Sequence, residues 1–162
     1  MASRASNPII VIDTREQRPY TFSTVRVGGV VHAALPAGDY SLQGYETQIA
    51  IERKSLPDYI STVIHAKDRF RRELILLKTY PRAWIVVEGA LDDLLHGRYD
   101  ARVTPQALLA ITASLMTHYA IPVLFAGDRP SACALVEELL VQWHAFQEQK
   151  GAAHERSRQT GA

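Results

Sequence analysis

The chain has 162 residues, with 18 Lys and Arg against 17 Asp and Glu, a formal net charge of +1 and a single cysteine. That length suits one compact domain, and 47% hydrophobic with 22% charged residues is the composition of a folded globular protein. Near-neutrality excludes reading nucleic-acid binding from bulk charge, and the lone Cys133 excludes an intrachain disulfide or a cysteine-based zinc site.

Apolar runs are short and broken, so no transmembrane helix and no membrane partner are expected. The lead MASRASNPIIVID meets Asp13 before it reaches the length of a secretory core, which predicts a cytoplasmic chain. Residues 1–7 and 150–162 lack apolar periodicity and read as flexible ends around a single domain over 8–149.

Ile9–Ile12 is a short apolar run with the signature of a buried strand ending at Asp13. Val30 to Leu35, Tyr40–Leu42 and Gln48 to Arg53 read as further strands, with Pro36-Ala37-Gly38-Asp39 as a turn and Gly44 in a hairpin loop. Ser55-Leu56-Pro57-Asp58 carries a cap, a first-turn proline and an acidic residue, and opens a helix to Ile64 or His65. Phe70, Leu74, Leu76 and Leu77 form the stripe of a second helix, ending before Pro81. Trp84–Val87 and Pro122–Phe125 are strands, and helices open at Thr104-Pro105 and Arg129-Pro130-Ser131. The last carries Leu135, Leu139, Leu140, Trp143 and Phe146. Strands alternating with helices in this order predict an α/β fold with helices on both faces of the sheet.

Gly38-Asp39-Tyr40 is followed closely by Glu52-Arg53-Lys54. On a strand, Glu52 and Lys54 share one face and Arg53 points the other way, while Asp39 begins the neighbouring strand. Two carboxylates with a lysine beside them suit metal-assisted phosphodiester hydrolysis: hard oxygen ligands hold Mg²⁺, and an ammonium meets the developing charge. The bare pattern also arises by chance, as surface carboxylates and a solvated lysine. Arg53 is expected to pair with Asp58 or Asp13, Glu88 to be an ordinary strand-end charge, and Tyr40 to pack. His65, His96, His118 and His144 show no ligand spacing.

Val11-Ile12-Asp13-Thr14-Arg15-Glu16, Leu35-Pro36-Ala37-Gly38-Asp39-Tyr40 and Ile51-Glu52-Arg53-Lys54-Ser55-Leu56-Pro57-Asp58 together resemble the nuclease domain of the XPF-type structure-specific endonucleases. The family signature GDX(n)ERKX3D is filled through Asp58, and the likeness extends over residues 9–147. It implies a restriction-endonuclease-like α/β core with a central mixed sheet. It also implies Mg²⁺ or Mn²⁺ on Asp39 and Glu52, with Asp13 nearby, and Lys54 as the catalytic lysine. Asp13, Arg15, Glu16, Arg53 and Asp58 complete the site, although Asp58 also suits a purely structural role at the helix start. The implied activity is DNA cleavage at flaps, forks and other single-strand/double-strand junctions in repair or recombination, by a dimer or with a partner protein. Two alternatives stand beside it: a non-catalytic DNA-binding scaffold, and a nuclease of the same superfamily without junction preference. The few residues after the last helix leave no room for the tandem helix-hairpin-helix domains of the family's longer members, so selectivity would come from the nuclease fold, a dimer or a partner.

Residues 65–82 hold a local excess of four positive charges, from Lys67, Arg69, Arg71, Arg72, Lys78 and Arg82 against Asp68 and Glu73. Lys67, Arg69 and Arg72, with Arg15 and Arg18, are the candidates for contacts to a phosphate backbone.

Overall fold

The computed structural model describes residues 6–160. Six strands form one sheet: β1 (Ile9–Asp13), β2 (Gly29–Ala33), β3 (Tyr40–Leu42), β4 (Ile49–Ser55), β5 (Arg82–Glu88) and β6 (Val123–Phe125). Their order across the sheet is β2-β1-β3-β4-β5-β6. β2 runs parallel to β1, β3 is antiparallel to both β1 and β4, and β4, β5 and β6 are mutually parallel. The sheet is therefore mixed, as the resemblance implied.

The helices are α1 (Leu56–His65), α2 (Lys67–Leu77), α3 (Leu91–Leu95), α4 (Pro105–Tyr119) and α5 (Arg129–Thr160). Ser55 caps α1 as the sequence predicts, its Oγ accepting from the Asp58 amide at 3.2 Å. Thr104 does the same for α4. Among the described residues no helix is long and apolar enough to cross a membrane.

Two apolar clusters lie on opposite faces of the sheet. On one, Tyr59, Phe70, Leu74, Leu77 and Leu108 of α1, α2 and α4 cover Ala50, Ile85 and Val87. On the other, Val136, Leu140 and Trp143 of α5, with Tyr20 and Phe22 from the loop after β1, cover Ile10, Tyr40, Ile51 and Val86. Strand alternation sorts these side chains, because neighbours along β4 and β5 go to opposite clusters. Tyr40 is fully buried and stacks on Tyr20 at 5.2 Å, which bears out its packing role.

Three details depart from the sequence reading. α5 does not end near Phe146 but continues to Thr160, through the segment expected to be a flexible tail. Residues 147–158 are mostly exposed there, so intrinsic helix formers such as Gln, Glu, Lys and Ala extend the helix without burial. α3 was unforeseen, its five residues being too few to show a period. Leu76, expected in the apolar stripe of α2, is 40% exposed, because a helix shows the core only one face.

Gly38 fixes the turn into β3. Its φ is +76°, and a Cβ there would sit 3.1 Å from the Ile51 carbonyl oxygen and 3.2 Å from Ala50 Cβ. A side chain at this position meets both torsional strain and contact with β4. Gly38→Ala is expected to lower stability by about 2 kcal/mol, read as a drop in the midpoint of urea unfolding.

Candidate active site

The ends of β1, β3 and β4 meet α1 and α2 in an open cleft of about 1000 Å³. Its lining includes Asp13, Arg15, Glu16, Arg18, Asp39, Glu52, Arg53, Lys54, Asp58, Arg69 and Arg72. Every expected site residue thus borders one space, with the exception of Lys67, which is exposed but does not line it.

Backbone pairing positions Asp39. Its amide donates to the Ile51 carbonyl at 2.8 Å, and its carbonyl accepts from the Asp13 amide at 2.9 Å. Its carboxylate accepts from the Arg53 amide at 2.7 Å. Burial and the nearby Glu52 charge push the Asp39 carboxyl up to about 8, against the lowering effect of that amide. Glu52 is buried, and its Oε1 accepts from Lys54 Nζ at 2.7 Å. Lys54 also lies over the Phe70 ring, 5.4 Å from its centroid. Burial works against its charge, yet Glu52 and the other carboxylates hold its pKa above the ordinary lysine value.

Glu73 is the residue that sequence reasoning missed. Charge counting makes it only an acid offsetting a basic helix, but it is half-buried and lines the cleft together with Glu52. Burial and Glu52 push it up to about 8. A signal was present in its spacing. Arg69, Glu73 and Leu76 fall at i, i+4 and i+7, one face of α2, and all three line the cleft.

Arg53 points to the other face of the sheet, as strand alternation requires, but its partners differ from those expected. It pairs with Glu16 (Nε to Oε2, 2.8 Å) and Glu88 (Nη1 to Oε1, 3.2 Å), not with Asp58 or Asp13. Register explains the second contact: Ser55 aligns with Glu88 across β4 and β5, so Glu88 shares a face with Arg53. Glu88 is therefore no ordinary strand-end charge. It also accepts from Tyr20 Oη at 2.8 Å and from Arg129 Nη1 at 2.9 Å. Burial would raise Glu16, but hydrogen bonds from Arg53 and the Arg18 amide hold it below the usual glutamate value.

Asp13 was expected near the cation, but both its oxygens are already engaged. Oδ1 accepts from the Arg15 amide at 2.8 Å and Nε at 2.7 Å, and Oδ2 from Arg15 Nη2 at 3.0 Å and the Leu35 amide at 2.7 Å. Four donors leave this carboxylate tying strand ends together. The Asp58 carboxylate accepts from Ser55 Oγ at 2.6 Å, so it steadies the residue that caps α1 while bordering the cleft. Of the basic candidates, Arg15, Arg18, Arg69 and Arg72 line the cleft and are exposed. Lys78 instead bonds the His118 carbonyl at 3.0 Å.

Asp39 and Glu52 offer only oxygen, the donor set of Mg²⁺ or Mn²⁺. Burial and the neighbouring Glu52 charge already disfavour the ionised form of Asp39, and a divalent charge between the two carboxyls would relieve this. Among the described residues no three His, Cys, Asp or Glu side chains are spaced to hold an ion unaided. An ion here would complete its shell with water and phosphate oxygens, as Mg²⁺ commonly does.

No curated protein matches the chain significantly. Among solved structures, XPF from Aeropyrum pernix matches with a TM-score of 0.64 and 29% identity, over 84% of this chain and 61% of that one. XPF from Aeropyrum pernix in complex with DNA matches with a TM-score of 0.63 and 28% identity, over 86% of this chain and 66% of that one. The chain thus spans roughly two-thirds or less of these XPF chains, matching their mixed sheet with flanking helices. A family model, the ERCC4 domain, matches residues 12–139, from the end of β1 into the first half of α5. With the strand ends, the cleft and the whole acidic-basic motif inside that span, the chain belongs to the ERCC4 domain family.

Proposed function

We propose that the protein is a metal-dependent DNA endonuclease acting at single-strand/double-strand junctions. One observation carries the reading: Asp39, Glu52 and Lys54, delivered by two paired strands, converge at the floor of a cleft whose rim holds Arg15, Arg18, Arg69 and Arg72. Family membership and the DNA-bound XPF neighbour support it.

Asp39 and Glu52 would hold Mg²⁺ or Mn²⁺, which when bound polarises the scissile phosphate and acidifies a water. Lys54, buried and charged, faces the same spot and meets the negative charge that builds on the phosphoryl oxygens. Arg53 keeps away from the substrate. Its amide fixes the Asp39 carboxylate, and its guanidinium anchors β4 to Glu16 and Glu88. The exposed arginines neutralise backbone phosphates without reading bases, which suits a substrate selected by shape. Pairing with a second copy or a partner protein, and a role in repair or recombination, belong to this reading through the resemblance.

Lys54→Ala and Asp39→Ala are each expected to fold and to lose at least about a hundredfold in nicking rate, measured on flap, fork, duplex and single-stranded oligonucleotides at fixed salt. Chelating divalent ions should stop the wild type, and Mg²⁺ or Mn²⁺ should restore it. Cleavage undiminished in either variant would overturn the assignment. Binding with no product under any metal would mark a scaffold, and equal cutting of plain duplex would remove the junction preference.

Arg69→Ala and Arg72→Ala should each weaken binding to all DNA sequences alike. The slope of log affinity against log salt should become shallower by about 1 for each lost phosphate contact, a change that fluorescence anisotropy across a salt series would detect.

A further inference from the structure

The connection between β1 and β2, residues 14–28, forms no helix or strand of its own. It nevertheless carries Arg15, Glu16 and Arg18 to the cleft. A connection this long keeps one shape only where other elements hold it. Arg69 and Arg72 stand on α2, and the Arg15 guanidinium is held by Asp13 and the Leu35 carbonyl. The place of Arg18 depends on how its backbone is held.

Helix α5 supplies that support in even steps. Arg129, Cys133 and Glu137 fall at i, i+4 and i+8, along one face of the helix. Arg129 Nη2 donates to the Arg18 and Pro19 carbonyls at 2.7 and 3.1 Å. Cys133 Sγ donates weakly to the Thr21 carbonyl at 3.5 Å, and Glu137 Oε2 accepts from the Ser23 amide at 2.7 Å. Between these points Tyr20 and Phe22 are buried and pack on Tyr40 of the sheet. Residues 19–23 thus alternate like a strand laid along a helix. The two repeats match, since two extended residues advance about 6.6 Å and four helical residues about 6 Å.

Arg129 holds the cleft end of this strap. Its Nη1 donates to Glu88 Oε1 at 2.9 Å, and its guanidinium lies 4.7 Å from the Tyr20 ring centroid. One planar group therefore spans two carbonyls, a carboxylate and a ring, which the single ammonium of a lysine cannot reproduce. The Arg18 amide in turn donates to Glu16 Oε1 at 2.7 Å. Both peptide groups of Arg18 are fixed, while its side chain is exposed at the rim.

We propose that Arg129 is a positioning residue for DNA binding, holding Arg18 where its guanidinium meets a backbone phosphate. The proposal rests on reading Arg18 as a phosphate contact.

Two measurements on the full chain test it, both without divalent metal so that no cleavage intervenes. In hydrogen exchange read by mass spectrometry, without DNA, Arg129→Lys keeps the charge but should exchange at least about tenfold faster over residues 16–23, with β4 and β5 unchanged. Arg129→Gln, as a second variant, should do the same. In fluorescence anisotropy with a labelled fork across a salt series, Arg129→Lys should lose as much affinity as Arg18→Ala. In both variants the slope of log affinity against log salt should become shallower by about 1. Combining the two should leave binding within about twofold of Arg18→Ala alone, the signature of one shared contact. If both Arg129 variants unfold, or exchange faster throughout, the residue serves stability alone and the proposal is refuted. It is also refuted if exchange over residues 16–23 stays at the wild-type rate, if Arg18→Ala weakens binding while Arg129→Lys does not, or if the two defects add. If wild type binds no fork, or Arg18→Ala binds as wild type does, the phosphate contact itself fails and the role of Arg129 falls with it.

Discussion

The site depends on how Asp39 is held. Its amide, carbonyl and carboxylate bond three different backbone groups, on Ile51, Asp13 and Arg53. Those bonds stitch the ends of β1 and β4 to the start of β3, and Gly38 supplies the positive φ that lets the chain enter there. Any shift of Asp39 relative to Glu52 would require breaking the ladder itself, not merely rotating a side chain. Preorganisation of this kind lets two carboxylates stay close despite their repulsion.

The sheet then divides the labour between its faces. Glu52 and Lys54 face α1 and α2, where the cleft opens, while Arg53 faces α5 and joins Glu16, Glu88, Tyr20 and Arg129. Arg129 also bonds the carbonyls of Arg18 and Pro19, and lies 4.7 Å from the Tyr20 ring centroid. The loop carrying Glu16 and Arg18 is therefore fastened to the last helix. Buried ion pairs add little net stability over apolar packing, but removing one partner leaves an unpaired charge. Such a network suits orientation better than stability, and what it orients is the strand bearing Glu52 and Lys54.

Much of this was legible in the chain. Ser55, Pro57 and Asp58 announced α1, β-branched runs announced the strands, and period-2 alternation placed Glu52 with Lys54 and against Arg53. The hidden features of the site depend on partners distant in sequence. Arg53 found Glu16 and Glu88 through the parallel register of β4 with β5, which no local pattern encodes. Asp13 looked like a ligand until the Leu35 amide, brought alongside by folding, helped saturate it. Glu73 looked like a solvated acid because helical period tells which residues share a face, not which face the cleft will use.

Helix α2 resolves the tension between near-neutral composition and the proposed polyanionic substrate. On its outer surface Arg69 and Arg72 are exposed at the rim, whereas Glu73 is half-buried beside Glu52. Charge along the cleft is thus positive at the mouth and acidic at the floor, within little more than one helical turn. A uniformly basic cleft would bind DNA well but leave nothing to collect a divalent ion. A uniformly acidic one would hold the ion and repel the backbone. Arranging both signs in depth lets a chain of net charge +1 attract phosphate at its edge while keeping anionic ligands at the bottom, and the sum over the whole sequence conceals that gradient.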